Sequence, residues 1–156
     1  MIKASSRWKI IQEKWGIRME FTIVPYVGAG KVLFGMTSLQ ISEALYTEPK
    51  RFKKFEDDEI DVDDYEWCHV YYKNPGVCQA IEFFEPAKVL FMGRNIIGKS
   101  FKDIKKLFIK HDKETKFDEA GLTSFKYGIS IYAPFAQKNP SDSIEGVLVF
   151  EKGYYE

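Results

Sequence analysis

Apolar residues recur along this chain with two periods. From Arg18 to Val24, Met19, Phe21 and Ile23 fall on one side of an alternating pattern, the twofold period of a half-buried strand, and Pro25 ends it before a flexible Val27-Gly28-Ala29-Gly30 turn. Tyr65 to Tyr72 and Val77 to Phe84 read as a hairpin about Lys73-Asn74-Pro75-Gly76, with Cys68, Val70, Tyr72, Val77, Ile81 and Phe83 on its core face. Further strands are predicted over Ala87 to Met92, Leu122 to Tyr127, Gly128 to Ala133 and Ile144 to Glu151. A small loop is expected at Phe117 to Gly121 and a longer one at Pro134 to Ser143. The helical period appears first at Trp8, Ile11 and Trp15, with Ser5 or Ser6 as cap and Gly16 as stop.

The same period appears twice more, in a repeated unit around residues 31–46 and 94–110. Each copy is a short apolar run, a glycine, one variable residue, a Thr or Ser, and then an amphipathic helix. Thr37, Ile41, Ala44 and Leu45 correspond to Ser100, Ile104, Leu107 and Phe108. Thr37 with Gln40, and Ser100 with Asp103, have the spacing of a capping box, in which the hydroxyl accepts from a backbone N–H three residues on. Glu48-Pro49 terminates the first helix, and Lys102, Lys106, Lys110 and Lys113 form the wet stripe of the second. Strands outnumber helices and adjoin through short turns. The expected fold is α+β, a single domain over residues 1–156, with a largely antiparallel sheet and two or three helices packed on one side.

Length and charge narrow the function classes. A chain of 156 residues supports one hydrophobic core, and 23 basic against 23 acidic residues leave no net attraction to nucleic acid or to an anionic membrane. No apolar stretch has signal-peptide or membrane-span length, so the expectation is a soluble cytoplasmic protein. Cys68 and Cys78 fit no zinc or Cys-x-x-Cys pattern. A four-residue hairpin loop sets Cys68 opposite Ile81 and Cys78 opposite Tyr71, so two free, buried thiols are expected.

The second copy of the repeat also spells a phosphate-loop motif. Gly93-Arg94-Asn95-Ile96-Ile97-Gly98-Lys99-Ser100 matches G-x-x-x-x-G-K-[ST], follows a strand-like run and opens a helix. Three physical arguments weigh against a nucleotide site: Ser100 has a capping role to fill, β-branched Ile96 and Ile97 disfavour the left-handed backbone such a loop uses, and the antiparallel signals do not fit a doubly wound parallel sheet. The repeat supplies a structural reason for the spelling. A nucleotide-binding enzyme using Gly93, Gly98, Lys99 and Ser100 stays as the alternative.

Between the first helix and the hairpin the chain turns acidic: Glu56, Asp57, Asp58, Glu59, Asp61, Asp63 and Asp64. A calcium loop counted from Glu59 has Asp64 and Val70 where glycine and a bidentate glutamate are needed. The segment reads as an exposed loop, either a solvated surface or a patch facing a basic protein partner. His69 alternates with Trp67 and Tyr71 on the hairpin face opposite Cys68, where an imidazole is structural or an interface group, and His111 suits a helix C-terminus. No residue pattern calls for a metal, a cofactor or a catalytic group.

The unit from Lys31 to Leu45 resembles the opening of small bacterial immunity-type proteins of toxin systems, and the repeated unit of β-lactamase-inhibitor-like domains. Its second copy, the segment Gly121 to Pro134 and the ending Val147 to Tyr155 extend the resemblance. What the resemblance implies is a non-catalytic cytoplasmic inhibitor that binds a partner's toxic domain and occludes its active site. For a nuclease partner the acidic loop is then the natural contact, with Tyr65, Trp67 and Tyr71 as aromatic anchors. A self-associating structural domain is a further alternative.

Overall fold

Thirteen short strands and two helices follow the two periods, within residues 19–57 and 60–156, which the computed structural model describes. The first stretch holds β1 (Glu20–Val24), β2 (Gly28–Ala29), β3 (Val32–Leu33), helix α1 (Ser38–Leu45), then β4 (Lys50–Phe52), β5 (Val62–Asp64), β6 (Cys68–Lys73) and β7 (Val77–Phe84). The second holds β8 (Lys88–Phe91), β9 (Arg94–Asn95), helix α2 (Phe101–His111), then β10 (Lys116–Asp118), β11 (Gly121–Ser124), β12 (Ile129–Tyr132) and β13 (Gly146–Phe150). The predicted helix around Trp8 to Trp15 lies outside the described residues.

The strands form two sheets. One has five strands in the order β3-β2-β1-β8-β9, and the other eight in the order β10-β11-β12-β13-β7-β6-β5-β4. The architecture is therefore α+β and mostly strand. In place of a single sheet there are two, and β1 pairs with β8 in parallel while every other pairing is antiparallel. The long sheet consists of two consecutive four-stranded meanders joined where β13 lies against β7.

This topology turns the sequence repeat into a repeat of hydrogen bonds. In the first copy, Gly35 N donates to Cys78 O at 2.9 Å, Cys78 N donates to Met36 O at 2.8 Å, and Thr37 bridges Val77. In the second, Gly98 N donates to Ile144 O at 2.9 Å, Ile144 N donates to Lys99 O at 2.9 Å, and Ser100 bridges Ser143. Gly35 and Gly98 both have positive φ, 92° and 80°, which only glycine adopts without strain, so the shared glycine is required by the turn that brings the strand end onto the sheet. Thr37 caps α1 as predicted, with both bonds of the capping box present. Ser100 makes no side-chain cap bond, which corrects the expected second capping box; the backbone bridge to Ser143 fixes the helix entry instead.

One face of the long sheet is the core. Cys68, Val70, Ile81, Phe83, Val147, Val149, Ile129, Ile131 and Leu122 are buried there. Phe21 of β1 packs on Phe83 with centroids 4.7 Å apart and on Trp67 at 5.2 Å, so the five-stranded sheet lies over this face. Phe91 of β8 stacks on Phe108 of α2 at 5.0 Å. Burying a side chain of this size contributes roughly 1.5–3 kcal/mol.

Several local expectations are revised. The β6–β7 turn spans three residues, Asn74 to Gly76, and a bulge between Tyr71 and Tyr72 resets the register: Cys68 lies opposite Phe83 and Tyr71 opposite Ala80. Cys78 and Ala80 are thereby buried along with Ile81 and Phe83. α1 stops at Leu45, where Tyr46 takes the left-handed conformation, before Glu48-Pro49 is reached. Gly28–Ala29 and Lys116–Asp118, expected as turn and loop, are short strands.

Candidate protein-docking face

The other face of the long sheet carries a row of side chains aligned across all eight strands. Cross-strand partners run Lys116, Thr123, Ser130, Leu148, Glu82, His69, Asp64, Lys50. Paired residues project to the same side of a sheet. The six inner members of the row are half-exposed and the two lysines are exposed, so among the described residues no element seals this face along the row.

The N-terminal half of the row is ionisable. His69 Nε2 lies 3.4 Å from Asp64 Oδ1, and its Nδ1 lies 3.9 Å from Glu82 Oε1. Tyr71 Oη donates to Glu82 Oε1 at 2.8 Å. Burial and the Glu82 carboxylate raise the Tyr71 phenol above its ordinary 10.0, and the Lys54 ammonium sits over its ring at 5.0 Å. Phe52 and Phe84 approach the imidazole edge-on, at 5.2 and 5.0 Å.

Next to the row lie two arrangements of the same kind. Tyr132 pairs with Gly146 and Gly146 with Phe84, so two aromatic side chains flank a position without a side chain. A Cβ on Gly146 would meet Phe84 Cε1 and Tyr132 Cβ, both at 3.6 Å. On the opposite side of the row, Phe150 pairs with Ala80 and Ala80 with Tyr71, again an aromatic, a small residue and an aromatic. That second set is covered by residues that follow β13. Tyr154 stacks on Phe150 at 5.8 Å, Tyr155 meets Phe150 edge-on at 5.0 Å and Phe125 at 5.8 Å, and Ala80 is 0% exposed. The first set is less covered: Tyr132 is 47% exposed and Phe84 half-buried, with Gly146 buried between them.

The acidic segment divides. Glu56, Asp57 and Asp61 are exposed, while Asp58 and Glu59 lie outside the described residues. Asp57 and Asp61 line a cleft of about 580 Å³ together with Lys54, Tyr71, Gln79 and Tyr154. Asp63 is not part of an exposed loop. It is 1% exposed on the core side of β5, where it accepts from Ser38 Oγ at 2.5 Å, Tyr72 Oη at 2.5 Å and Arg51 Nε at 3.1 Å, tying α1 and β4 to the sheet. The hydrogen bond to Asp63 adds to burial in holding the Tyr72 phenol well above 10.0.

Tyr65 and Trp67, expected as surface anchors, are each 5% exposed. The connection between β5 and β6 tucks both inward, and Trp67 stacks on Phe21. Burial raises the Tyr65 phenol, with Asp63 adding to it. Of the three predicted anchors, Tyr71 alone stands on the open face. Cys68 and Cys78 are free and buried, and burial pushes the Cys78 thiol up to about 12.

In the segment Gly93 to Ser100, the Ile96, Gly98 and Lys99 amides are engaged within the fold. Gly98 N and Lys99 N donate to Ile144 O and Ile96 O, and at the head of α2 Phe101 N and Lys102 N donate to Asp142 O and Pro140 O. Ile96 and Ile97 are core residues. A phosphate loop works by presenting such amides to the ligand.

The signal for the open face was present in the alternation of His69 and Tyr71 against Cys68 and Val70. The row itself needs a register that the bulge conceals. Comparisons with known protein families, with curated proteins and with solved structures give no match to this chain.

Proposed function

We propose that this chain is a non-catalytic binding protein of the bacterial immunity type, acting in the cytoplasm by covering the toxic domain of a partner protein with the open face of its long sheet. The observation that carries the docking part is the row from Lys116 to Lys50, bordered by Phe52, Phe84 and Tyr132, on a sheet whose other face is already packed. Uncovered apolar and aromatic surface rimmed by polar groups is the signature of an interaction site, and Tyr and Phe are its usual anchors. The toxin as partner rests on the resemblance of the repeated unit. The engagement of the Gly98, Lys99, Phe101 and Lys102 amides favours a structural reading of the phosphate-loop spelling.

The sheet face replaces the acidic loop as the centre of the contact, because Asp63, Tyr65 and Trp67 are interior. Glu56, Asp57 and Asp61 stand at the sheet end as a rim, where charge governs encounter more than affinity. The test is recovery of the tagged protein from its source cell under gentle salt, with mass spectrometry of what accompanies it. Stoichiometric recovery of the C-terminal fragment of a secreted protein, lost in a Glu82→Lys, Tyr132→Asp variant with an unchanged melting temperature, is the expected result. A protein that comes down alone, or ATP–magnesium binding abolished by Lys99→Ala, overturns the proposal.

A further inference from the structure

The two aromatic sets on the open face are counterparts. Counting outward from the β7–β13 seam, Glu82 matches Leu148, Phe84 matches Phe150, Ala80 matches Gly146 and Tyr71 matches Tyr132. Each set is therefore the same arrangement, an aromatic on a seam strand, a small residue on the other seam strand and a tyrosine beyond it. The chain fills one of them with Tyr154 and Tyr155, which follow β13 after Glu151, Lys152 and Gly153. In the first half, the residues following β7 lead into β8, and among the described residues no aromatic pair covers the matching set as Tyr154 and Tyr155 cover the other.

We infer that the less covered set, Phe84 and Tyr132 on either side of the buried Gly146, is the anchor site for an extended partner segment carrying adjacent aromatic side chains, and that the Tyr154-Tyr155 pair shows in cis how such a segment sits. This inference rests on the reading of the open face as a docking surface and specifies the chemistry that surface takes. His69, edge-on to Phe84 and within reach of Glu82 and Asp64, gives a phenol hydroxyl polar neighbours, as Glu82 and Tyr71 do near Tyr154. A ring with one apolar face and one polar tip fits such a site better than an aliphatic side chain.

Residues 152–156 supply the probe. The peptide Lys-Gly-Tyr-Tyr-Glu is titrated into the intact protein and followed by amide chemical shifts. Saturable shifts at Tyr132, Gly146 and His69 with one equivalent bound are expected, and a chain ending at Lys152 is expected to bind a second equivalent, with new shifts at Ala80 and Phe150. Tyr132→Ala weakens the first site about fivefold, from the usual worth of an aromatic pair, and because Tyr132 is largely exposed this variant keeps its fold where Phe84→Ala fails. Three results overturn the inference: no saturable shift at Tyr132 and Gly146 up to millimolar peptide, equal shifts with Lys-Gly-Ala-Ala-Glu, or binding seen only in the truncated chain. If the peptide fails while a captured partner is released by Tyr132→Asp, the docking face stands and the aromatic-segment inference alone falls.

Discussion

The two halves of this chain share a backbone plan and differ in what they place on it. On the core side the counterparts agree in character: Cys68 with Ile129, Val70 with Ile131, Ile81 with Val147 and Phe83 with Val149, all buried. On the open side Asp64, His69 and Glu82 stand where the second half has Thr123, Ser130 and Leu148. Packing constrains the inner positions, because a close-packed interior registers a change of one methylene. The open positions are free of that constraint, so the ionisable cluster in the first half is a choice that folding does not require. The connections differ in the same way, with residues 53–61 expanded between β4 and β5 in one half, and 133–145 between β12 and β13 in the other.

The sharpest contrast lies in how each half fastens its helix. Asp63 reaches from a strand to Ser38, while Asp112 reaches from the end of α2 to Ser124 Oγ at 2.7 Å and to Glu114 N at 3.0 Å. Asp63→Ala strands the Ser38 and Tyr72 hydroxyls and is expected to cost about 3 kcal/mol, whereas Asp112→Ala is expected to cost about half as much, since fewer side-chain donors lose their acceptor. Urea unfolding at neutral pH checks the order. Equal losses would mean that Arg51, 57% exposed, and its neighbours rehydrate freely when Asp63 is removed.

A smaller effect, weighted to the first half although burial also raises Tyr154 in the second, appears with pH. The Tyr65, Tyr71 and Tyr72 phenols, all in the first half, are raised above 10.0 by burial first and by Asp63 or Glu82 next. A raised folded pKa contributes stability that is fully present below about pH 10 and is lost as pH climbs above it, because the unfolded chain releases those protons first. The urea midpoint is therefore expected to fall between pH 9.5 and 11, on the order of one unit around the tyrosine pKa. Tyr71→Phe should make that fall shallower. A midpoint that does not move over this range would place these phenols in water.

The smallest test concerns the repeat itself. Thr37→Ala removes a capping box and is expected to cost about 1 kcal/mol, while Ser100→Ala, whose hydroxyl caps nothing, should stay within about 0.5 kcal/mol. Equal effects would restore the capping role to Ser100.

The spacing of Thr37 and Ser100 was legible in the sequence because a glycine, a hydroxyl and an apolar stripe report purely local geometry. That the two copies end on matching hydrogen bonds to β7 and to the start of β13 was not, since those partners lie far along the chain. The bulge at Tyr71 and Tyr72 defeated the hairpin register, because nothing in an apolar alternation marks an extra residue. Tyr65 and Trp67 adjoin a run of carboxylates and were read with it, yet they occupy the turn where the chain passes under Phe21. Asp63 was hidden for the same reason: among seven carboxylates, composition cannot say which one meets Ser38 and Tyr72. The open face escaped because its members are assembled from eight strands.

The pairing of β13 with β7 has a consequence for biosynthesis. β7 occupies the middle of the long sheet, yet its second neighbour, β13, is made more than sixty residues after it. Until then the nascent first half carries an unpaired strand containing Phe83 and Phe84, an edge of the kind that recruits other chains. Completion of the sheet thus waits on synthesis of β13, a contact of long sequence separation that slows folding and rewards a chaperone able to shield that edge.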